Sequence, residues 1–203
     1  MIRLLERSKY NSPEAYDKIF KERTTDWQDK RRWKTLLKHF KGGNLIDLGC
    51  LDSEISQLVK DSPGWYLGID QAGEAVDAMQ KRFGSPVTKF QKGDLYNTKL
   101  ETNTFDYAVL GEVLEHMERP RWVVQEAFEL LRPGGVLAIS VPLEEALEPG
   151  AVDGDRHLWS FDKNDMITLL SPHSDKIAMK VLRSKWFPYK YCWPQLICWA
   201  IKK

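Results

Sequence analysis

Glu112, Glu115 and His116 put two carboxylates and an imidazole within five residues. On a helical turn they would stand at i, i+3 and i+4 and share one face. Such a face could hold a substrate or move a proton. With a further ligand it could bind a hard or borderline divalent ion. It could also be purely structural. His157, in Asp153-Gly-Asp-Arg-His-Leu-Trp-Ser-Phe161, is the candidate fourth ligand. A second constellation has different chemistry. Leu45 to Leu48 is a short apolar run suited to a buried parallel strand. Gly49 ends it, and a helix-like segment starts at Ser53. Strand, glycine turn and helix can hold a nucleotide-like ligand: glycine admits the ligand to the backbone, and the helix start offers unpaired N–H groups. The next apolar run, Trp65 to Ile69, ends in Asp70, 23 residues after Asp47. That is close to the roughly 20-residue interval at which a second-strand acid meets a ribose. A pyrophosphate loop wants G-x-G-x-x-G, but Leu51 and Glu54 take the second and third glycine positions. A ligand with a ribose and no pyrophosphate suits this loop better, and S-adenosylmethionine is one.

The elements that position these groups follow from periodicity. Ser12, Pro13 and Glu14 open a helix carrying Tyr16, Ile19 and Phe20 on one face. Thr24-Thr25-Asp26 interrupts it, and Asp26 caps a second helix with the stripe Trp33, Leu36, Leu37 and Phe40. Tyr10, Tyr16 and Trp27 are either pocket or packing residues. A helix is expected over Ala72–Phe83, and a short strand over Val87–Phe90 delivers Gly93 and Asp94 to the sheet's carboxyl edge. Phe105 to Leu110 reads as a central strand delivering Gly111 and Glu112. Pro120–Leu131 reads as an amphipathic helix and Val136–Val141 as the fifth strand. An acidic loop, Leu143 to Asp155, is long enough to be functional. Asp162 caps a helix through Leu170, and Lys176–Leu182 and Gln195–Ile201 form a final strand pair. The connection between them carries Trp186, Phe187, Tyr189, Tyr191 and Trp193 with Lys185 and Lys190. That mixture suits ring stacking, a dimer interface or core packing.

Five segments in order, Asp47-Leu-Gly-Cys50, Leu67-Gly-Ile-Asp70, Lys92-Gly-Asp-Leu95, Phe105 to His116 and Leu131 to Pro142, resemble the motifs of class I S-adenosylmethionine-dependent methyltransferases. The resemblance covers about residues 40 to 170. It implies a doubly wound α/β sandwich of the Rossmann-like kind. Its seven-stranded sheet is mostly parallel, with the last strand antiparallel. It implies that residues 43–203 form the methyltransferase domain and residues 1–42 a helical lid. By resemblance Asp70 holds the ribose beside Gln71, Asp94 the adenine amino group with Leu95 nearby, and Gly49, Cys50 and Gly111 the amino-acid end. Asp47 orients the loop. Glu112, His116 and His157 are expected on the substrate side, since the family's His-x-x-x-Phe stretch lies over the active site. The set Glu112, Glu115, His116 and His157 is also similar to the Glu-x-x-Glu-His of metal-dependent small-RNA 2′-O-methyltransferases and of quinone-precursor O-methyltransferases. The family usually has Gly at position 51.

At 203 residues the chain can bury a sizeable core. Its net charge of +1 is uneven: residues 1–42 carry 12 Lys/Arg against 6 Asp/Glu, residues 43–170 carry 11 against 22, and residues 171–203 carry 7 against 1. The basic ends are either solvated or face an anionic substrate. Cys50, Cys192 and Cys198 form no C-x-x-C pair, so a reducing, cytoplasmic setting is expected. No apolar run is long enough for a membrane span, and the first residues lack a signal peptide's apolar core. The leading expectation is methyl transfer to oxygen or nitrogen of a small molecule, by a monomer or homodimer. The rivals are an RNA 2′-O-methyltransferase using a divalent metal, and a non-catalytic cofactor-binding scaffold.

Overall fold

The computed structural model describes residues 3–4, 12–22, 27–143, 157–183 and 194–203. Among the described residues nine strands run in chain order: β1 (Arg3–Leu4), β2 (Leu45–Leu48), β3 (Tyr66–Asp70), β4 (Thr88–Lys92), β5 (Phe105–Gly111), β6 (Leu131–Pro142), β7 (Trp159–Ser160), β8 (Lys176–Leu182) and β9 (Gln195–Ile201). Seven of them build one sheet in the order β4-β3-β2-β5-β6-β9-β8. Only β9 runs against its neighbours, β6 and β8; the other pairs are parallel. The sheet is the seven-stranded, mostly parallel one expected, with its last strand reversed.

Burial explains the strand runs. All four residues of β2 and all five of β3 are buried, because helices cover both faces of the sheet. On one face pack α5 (Pro120–Leu130) and α6 (Lys163–Leu170), through Val123, Ala127, Phe128, Met166 and Leu170. On the other pack α2 (Trp27–Leu36), α3 (Ile55–Val59) and α4 (Gly73–Phe83), through Trp33, Leu36, Ile55, Val76 and Met79. Strand β9 shows the period of two: Leu196, Cys198 and Ala200 face the first layer, Ile197 and Trp199 the second. Helix α2 is bolted to the sheet by the Leu36 carbonyl, which accepts from the Tyr107 hydroxyl at 2.6 Å and from Trp199 Nε1 at 3.0 Å. The Asp162 cap is a full capping box with Asp165. Ser12 likewise accepts from the Ala15 N–H at the start of α1 (Pro13–Glu22).

Two local expectations change, and one strand pairing is new. Strand β6 starts at Leu131, not Val136; Leu131 pairs with Phe105 before a register shift brings Val136 beside Tyr107. Residues 112–116 do not form one helical turn. Glu112 sits at φ +58°, and only Leu114–His116 winds, as a single 3-10 turn. Strand β1 pairs antiparallel with β7, tying the segment before α1 to the one after His157, which no local pattern announced. Tyr10, Asp26, the side chain of Trp27, residues 144–156 and the aromatic connection 184–193 lie outside the described residues. Among the described residues no helix is long and apolar enough to cross a membrane.

Candidate active site

The strand order reverses between β2 and β5, and ligands of open α/β sheets bind outside the carboxyl ends at such a point. A cleft of about 890 Å³ opens there. It is lined by every residue expected on the cofactor side: Asp47, Gly49, Cys50, Asp70, Gln71, Asp94, Leu95 and Gly111. Glu112, His116 and His157 line it too. Glu115 does not; it is buried behind them, 1% exposed.

On the β2–β4 side the turn after β2 is tight. Gly49 has φ +81°, and a Cβ there would lie 2.5 Å from Val113 Cγ2, so both the backbone and the space demand glycine. The Gly49 and Cys50 N–H groups both donate to the Ile69 carbonyl, at 2.7 and 3.1 Å. Asp70 then closes the turn. Its Oδ2 accepts from the Leu51 N–H and its Oδ1 from the Ala72 N–H, both at 2.9 Å. Leu51 itself is held at φ +33°, where its side chain is strained. Asp47 lies beneath, 2% exposed, accepting from the Tyr66 hydroxyl at 3.0 Å. Burial pushes its carboxyl up to about 6, despite hydrogen bonds from Ser53 and Tyr66. Burial also raises the Asp70 carboxyl, against the backbone N–H groups it accepts. Asp94 is exposed at the cleft edge, its Oδ1 accepting from the Tyr96 N–H at 2.9 Å.

Helix α1 covers the cleft with Pro13, Tyr16 and Ile19. Its Asp17 accepts from the Glu74 and Ala75 N–H groups, at 2.9 and 3.3 Å. An acid of one helix thus caps the first turn of another, α4, which has no side-chain cap of its own. Lys21 pairs with Glu74 beside it. At the other end of the cleft the Tyr16 ring meets His116 edge-on at 5.9 Å, and His116 meets His157 at 4.7 Å. His157 is brought there by the Leu158 N–H, which donates to the Glu115 carbonyl, and by Trp159 Nε1, which donates to the Met117 carbonyl, both at 2.7 Å. Ligand atoms of Glu115, His116 and His157 lie within 4.8 Å of one another, close enough to share one cation. Glu112 is not part of that group. Its side chain turns instead to Gln195 at the start of β9, whose Nε2 donates to Oε2 at 3.3 Å.

Several lining residues carried no sequence motif. Arg32 of α2 is a cation only 7% exposed; it lines the cleft with Trp33, Tyr96 and Met117. Its place next to Trp33 and four before Leu36, on the apolar stripe of α2, was the available signal. Ser140 and Gln195, which hold Glu112, had none.

Residues 46–139 match the methyltransferase-domain family. A protein of Mycolicibacterium smegmatis named "Probable S-adenosylmethionine-dependent methyltransferase" is 28% identical over 109 residues, which is 54% of this chain and 42% of that one. The chain spans well under two thirds of the length of this and other curated relatives that it matches. Among solved structures, the cyclase SpnF superposes with a TM-score of 0.76 at 17% identity, covering 98% of both chains. The Burkholderia thailandensis 1,6-didemethyltoxoflavin-N1-methyltransferase, solved with bound 1,6-didemethyltoxoflavin and S-adenosylhomocysteine, gives 0.72 at 16% identity over 100% of this chain and 95% of that one. At these identities the solved structures establish a shared fold. In sheet order, in the cleft at its switch point and in the matched residues, the chain is similar to class I S-adenosylmethionine-dependent methyltransferase domains.

The donor set fits that cofactor. The Asp70 oxygens accept backbone N–H groups of Leu51, Ala72 and Gln71 and, with about four lone-pair sites on a carboxylate, keep room for a ribose hydroxyl. Gly49 leaves the space a Cβ would take. Arg32, buried at the cleft wall, would offer a counter-charge to the cofactor's carboxylate.

Proposed function

We propose that the chain methylates an oxygen or nitrogen of a small molecule, with residues 1–42 as the lid and residues 43–203 as the domain that binds cofactor and acceptor. The observation that carries this reading is the single cleft on which the ribose-side acid Asp70, the Gly49 turn, Arg32 and the Glu112, His116 and His157 side chains all open. Bound S-adenosylmethionine supplies an electrophilic methyl group on its sulfonium sulfur. The protein's part is positioning and exclusion of water. Asp70 accepts from the ribose hydroxyls, Asp94 from the adenine amino group, and Arg32 clamps the carboxylate. Helix α1 closes the cleft above them, pinned by Asp17 to α4. His116, set by Tyr16 and His157, stands on the acceptor side, where an imidazole can take the proton that an O–H or N–H nucleophile loses.

Fold by itself does not prescribe this chemistry; one structural neighbour is a cyclase. The test is calorimetric titration with S-adenosylhomocysteine, followed by transfer of labelled methyl from S-adenosylmethionine to a panel of hydroxylated and amino compounds. Micromolar binding and label transfer are expected. No binding by the wild-type protein would leave the scaffold reading in the lead.

A second reading is favoured by the close approach of Glu115, His116 and His157: a divalent ion bound there would hold acceptor hydroxyls and lower their pKa. Here S-adenosylhomocysteine would bind with or without a chelator, while transfer would need manganese or magnesium. His157→Ala would abolish the metal dependence.

A further inference from the structure

Basic residues from both ends of the chain fold onto one surface, on the α2 side of the β9–β8 end of the sheet. Helix α2 carries Arg31 and Lys34, and the 3-10 turn that follows it, Leu37–His39, carries Lys38. At i, i+3 and i+7 they share one face. In β8, Ile177, Met179 and Val181 pack against the layer of α5 and α6. Lys176, Ala178 and Lys180 therefore point the other way, to the side on which Leu182 joins the layer of α2. The two rows meet over Trp199. Lys38 Nζ lies 5.8 Å from the centre of its ring, and His39 meets it edge-on at 5.0 Å. Trp199 is also the cross-strand partner of Ala178, so the two side chains share a face. Exposed Ala178 thus floors a shallow trough, with Lys34 and Lys38 along one side and Lys176 and Lys180 along the other. At the carboxyl edge Arg31 Nη1 donates to the Arg183 carbonyl at 2.8 Å, and its neighbour Arg32 lines the cleft. All four lysines are exposed, and among the described residues none pairs with a carboxylate. Asp175, the acid next to Lys176 in sequence, is taken by Lys203 at 3.0 Å.

We propose that this trough binds the phosphodiester backbone of a single-stranded nucleic acid. Unpaired cations lining one groove raise a positive potential that draws a polyanion. Lys176 and Lys180 stand about 13 Å apart along their strand, so the charge is drawn out in rows and not gathered at a point. The chemistry of the surface selects among polyanions. A protein interface buries an apolar core depleted of charge, and a helix lying on a bilayer offers leucine and aromatic anchors. Here Trp199 is only 5% exposed, and Ile201, beside Lys176, is the one large apolar side chain open to solvent at the trough among the described residues. Phosphate contacts need charge and no apolar anchor. The surface lies outside the cleft; it goes beyond the methyl-transfer reading and does not depend on it.

The probe is a fluorescein-labelled single-stranded RNA of about 20 nucleotides and mixed sequence, titrated with the full chain and read by anisotropy. A dissociation constant of about 10 µM or tighter is expected in 50 mM NaCl, weakening at least about tenfold in 200 mM, since each neutralised phosphate adds about 0.7 to the salt slope. Replacing Lys34, Lys38, Lys176 and Lys180 together by Gln is expected to weaken binding by about thirtyfold or more in 50 mM NaCl and to flatten the salt slope. Replacing Lys60, Lys81, Lys99 and Lys163 by Gln makes the same change of net charge at exposed sites elsewhere; it is expected to leave RNA affinity within about threefold. If the fourfold trough variant does not fold, Lys34→Gln and Lys180→Gln are each expected to weaken RNA by about fivefold. Three results would overturn the proposal. One is no binding by the wild type at about 100 µM protein in 50 mM NaCl, a concentration at the weak end of non-specific binding. Another is an equal loss in the trough and control variants, which would make net charge the cause. The third is tighter binding to phosphatidylglycerol vesicles or to poly-glutamate than to RNA, which would assign the trough to a membrane surface or an acidic protein. Titration of S-adenosylhomocysteine into the same variants reports on the cleft, so the two readings fail separately.

Discussion

Asp47 and Leu51 show what single residues contribute to the cofactor side. The Asp47 carboxyl titrates near 6 in the folded chain because it is buried, against an ordinary value of 3.8. Between those values the folded state keeps a proton that the unfolded chain has lost, so stability falls as pH rises through about 4 to 6 and stays lowered above. Asp70, raised in the same direction, adds to the fall. Asp47→Asn keeps an acceptor for Tyr66 and removes the titration. It is expected to match the wild type near pH 4 and to exceed it by about 2–3 kcal/mol at pH 7 in urea unfolding, the size set by a shift of roughly two units. Leu51 is a smaller case. Its φ of +33° suits glycine, and its side chain narrows the cleft. Leu51→Gly exchanges strain for chain entropy and should change stability by less than about 1 kcal/mol. Calorimetry should show tighter S-adenosylhomocysteine binding. An affinity that falls instead would mean the leucine packs on the cofactor.

Helix α1 belongs to the site through a contact 57 residues away in sequence, Asp17 to the first turn of α4. Asp17→Ala leaves two N–H groups at the positive end of α4 without their acceptor, a loss of about 1 kcal/mol by analogy with ordinary helix caps. Hydrogen exchange should quicken in α1 and in the first turn of α4, with the sheet unaffected. Association and dissociation of S-adenosylhomocysteine should both speed up, more than the affinity changes, in stopped-flow traces. The sequence carried no sign of this cap, because an aspartate early in an amphipathic helix looks like a solvated one. The same blindness explains Arg32: a cation reads as surface even when its neighbours Trp33 and Leu36 are buried. What was legible were the periodic runs. β2, β3 and β5 are near-continuous apolar segments, and each ends in the residue that lines the cleft: the Gly49 turn, Asp70 and Gly111. Glu112 was legible as a site residue but not as a strained one. Only the sheet register, which puts Gly111 beside Ser140, makes its left-handed backbone affordable.

At the scale of the molecule, the described sheet has two open edges, β4 and β8. Strand β8 exposes Lys176, Ala178 and Lys180 on alternate positions, while Ile177, Met179 and Val181 pack against the core. Lysines on an edge strand discourage pairing with another chain. Replacing Lys176 and Lys180 together by Val leaves the inner face intact and should add self-association, seen as a concentration-dependent rise in mass by light scattering. A double variant that stays at the wild-type mass at about 100 µM would place the protection elsewhere, well within the range where exposed edges aggregate.

The reversed strand β9 lies between β6 and β8, so β8 has no partner in the sheet except β9. Residues 176–182 are made before residues 195–201. During synthesis β8 therefore waits, its neighbour still inside the ribosome, while β2 to β6 can already associate. The strand that wedges between β6 and β8 emerges after both of them, at about 5–20 residues per second. A chain stalled or clipped before residue 195 would not merely lack one strand. It would present two unpaired borders, β6 and β8, together with the uncovered Cys198 and Trp199 side of both helix layers. Quality control by the cell's chaperones is therefore expected to act on this chain in the interval between the emergence of β8 and that of β9.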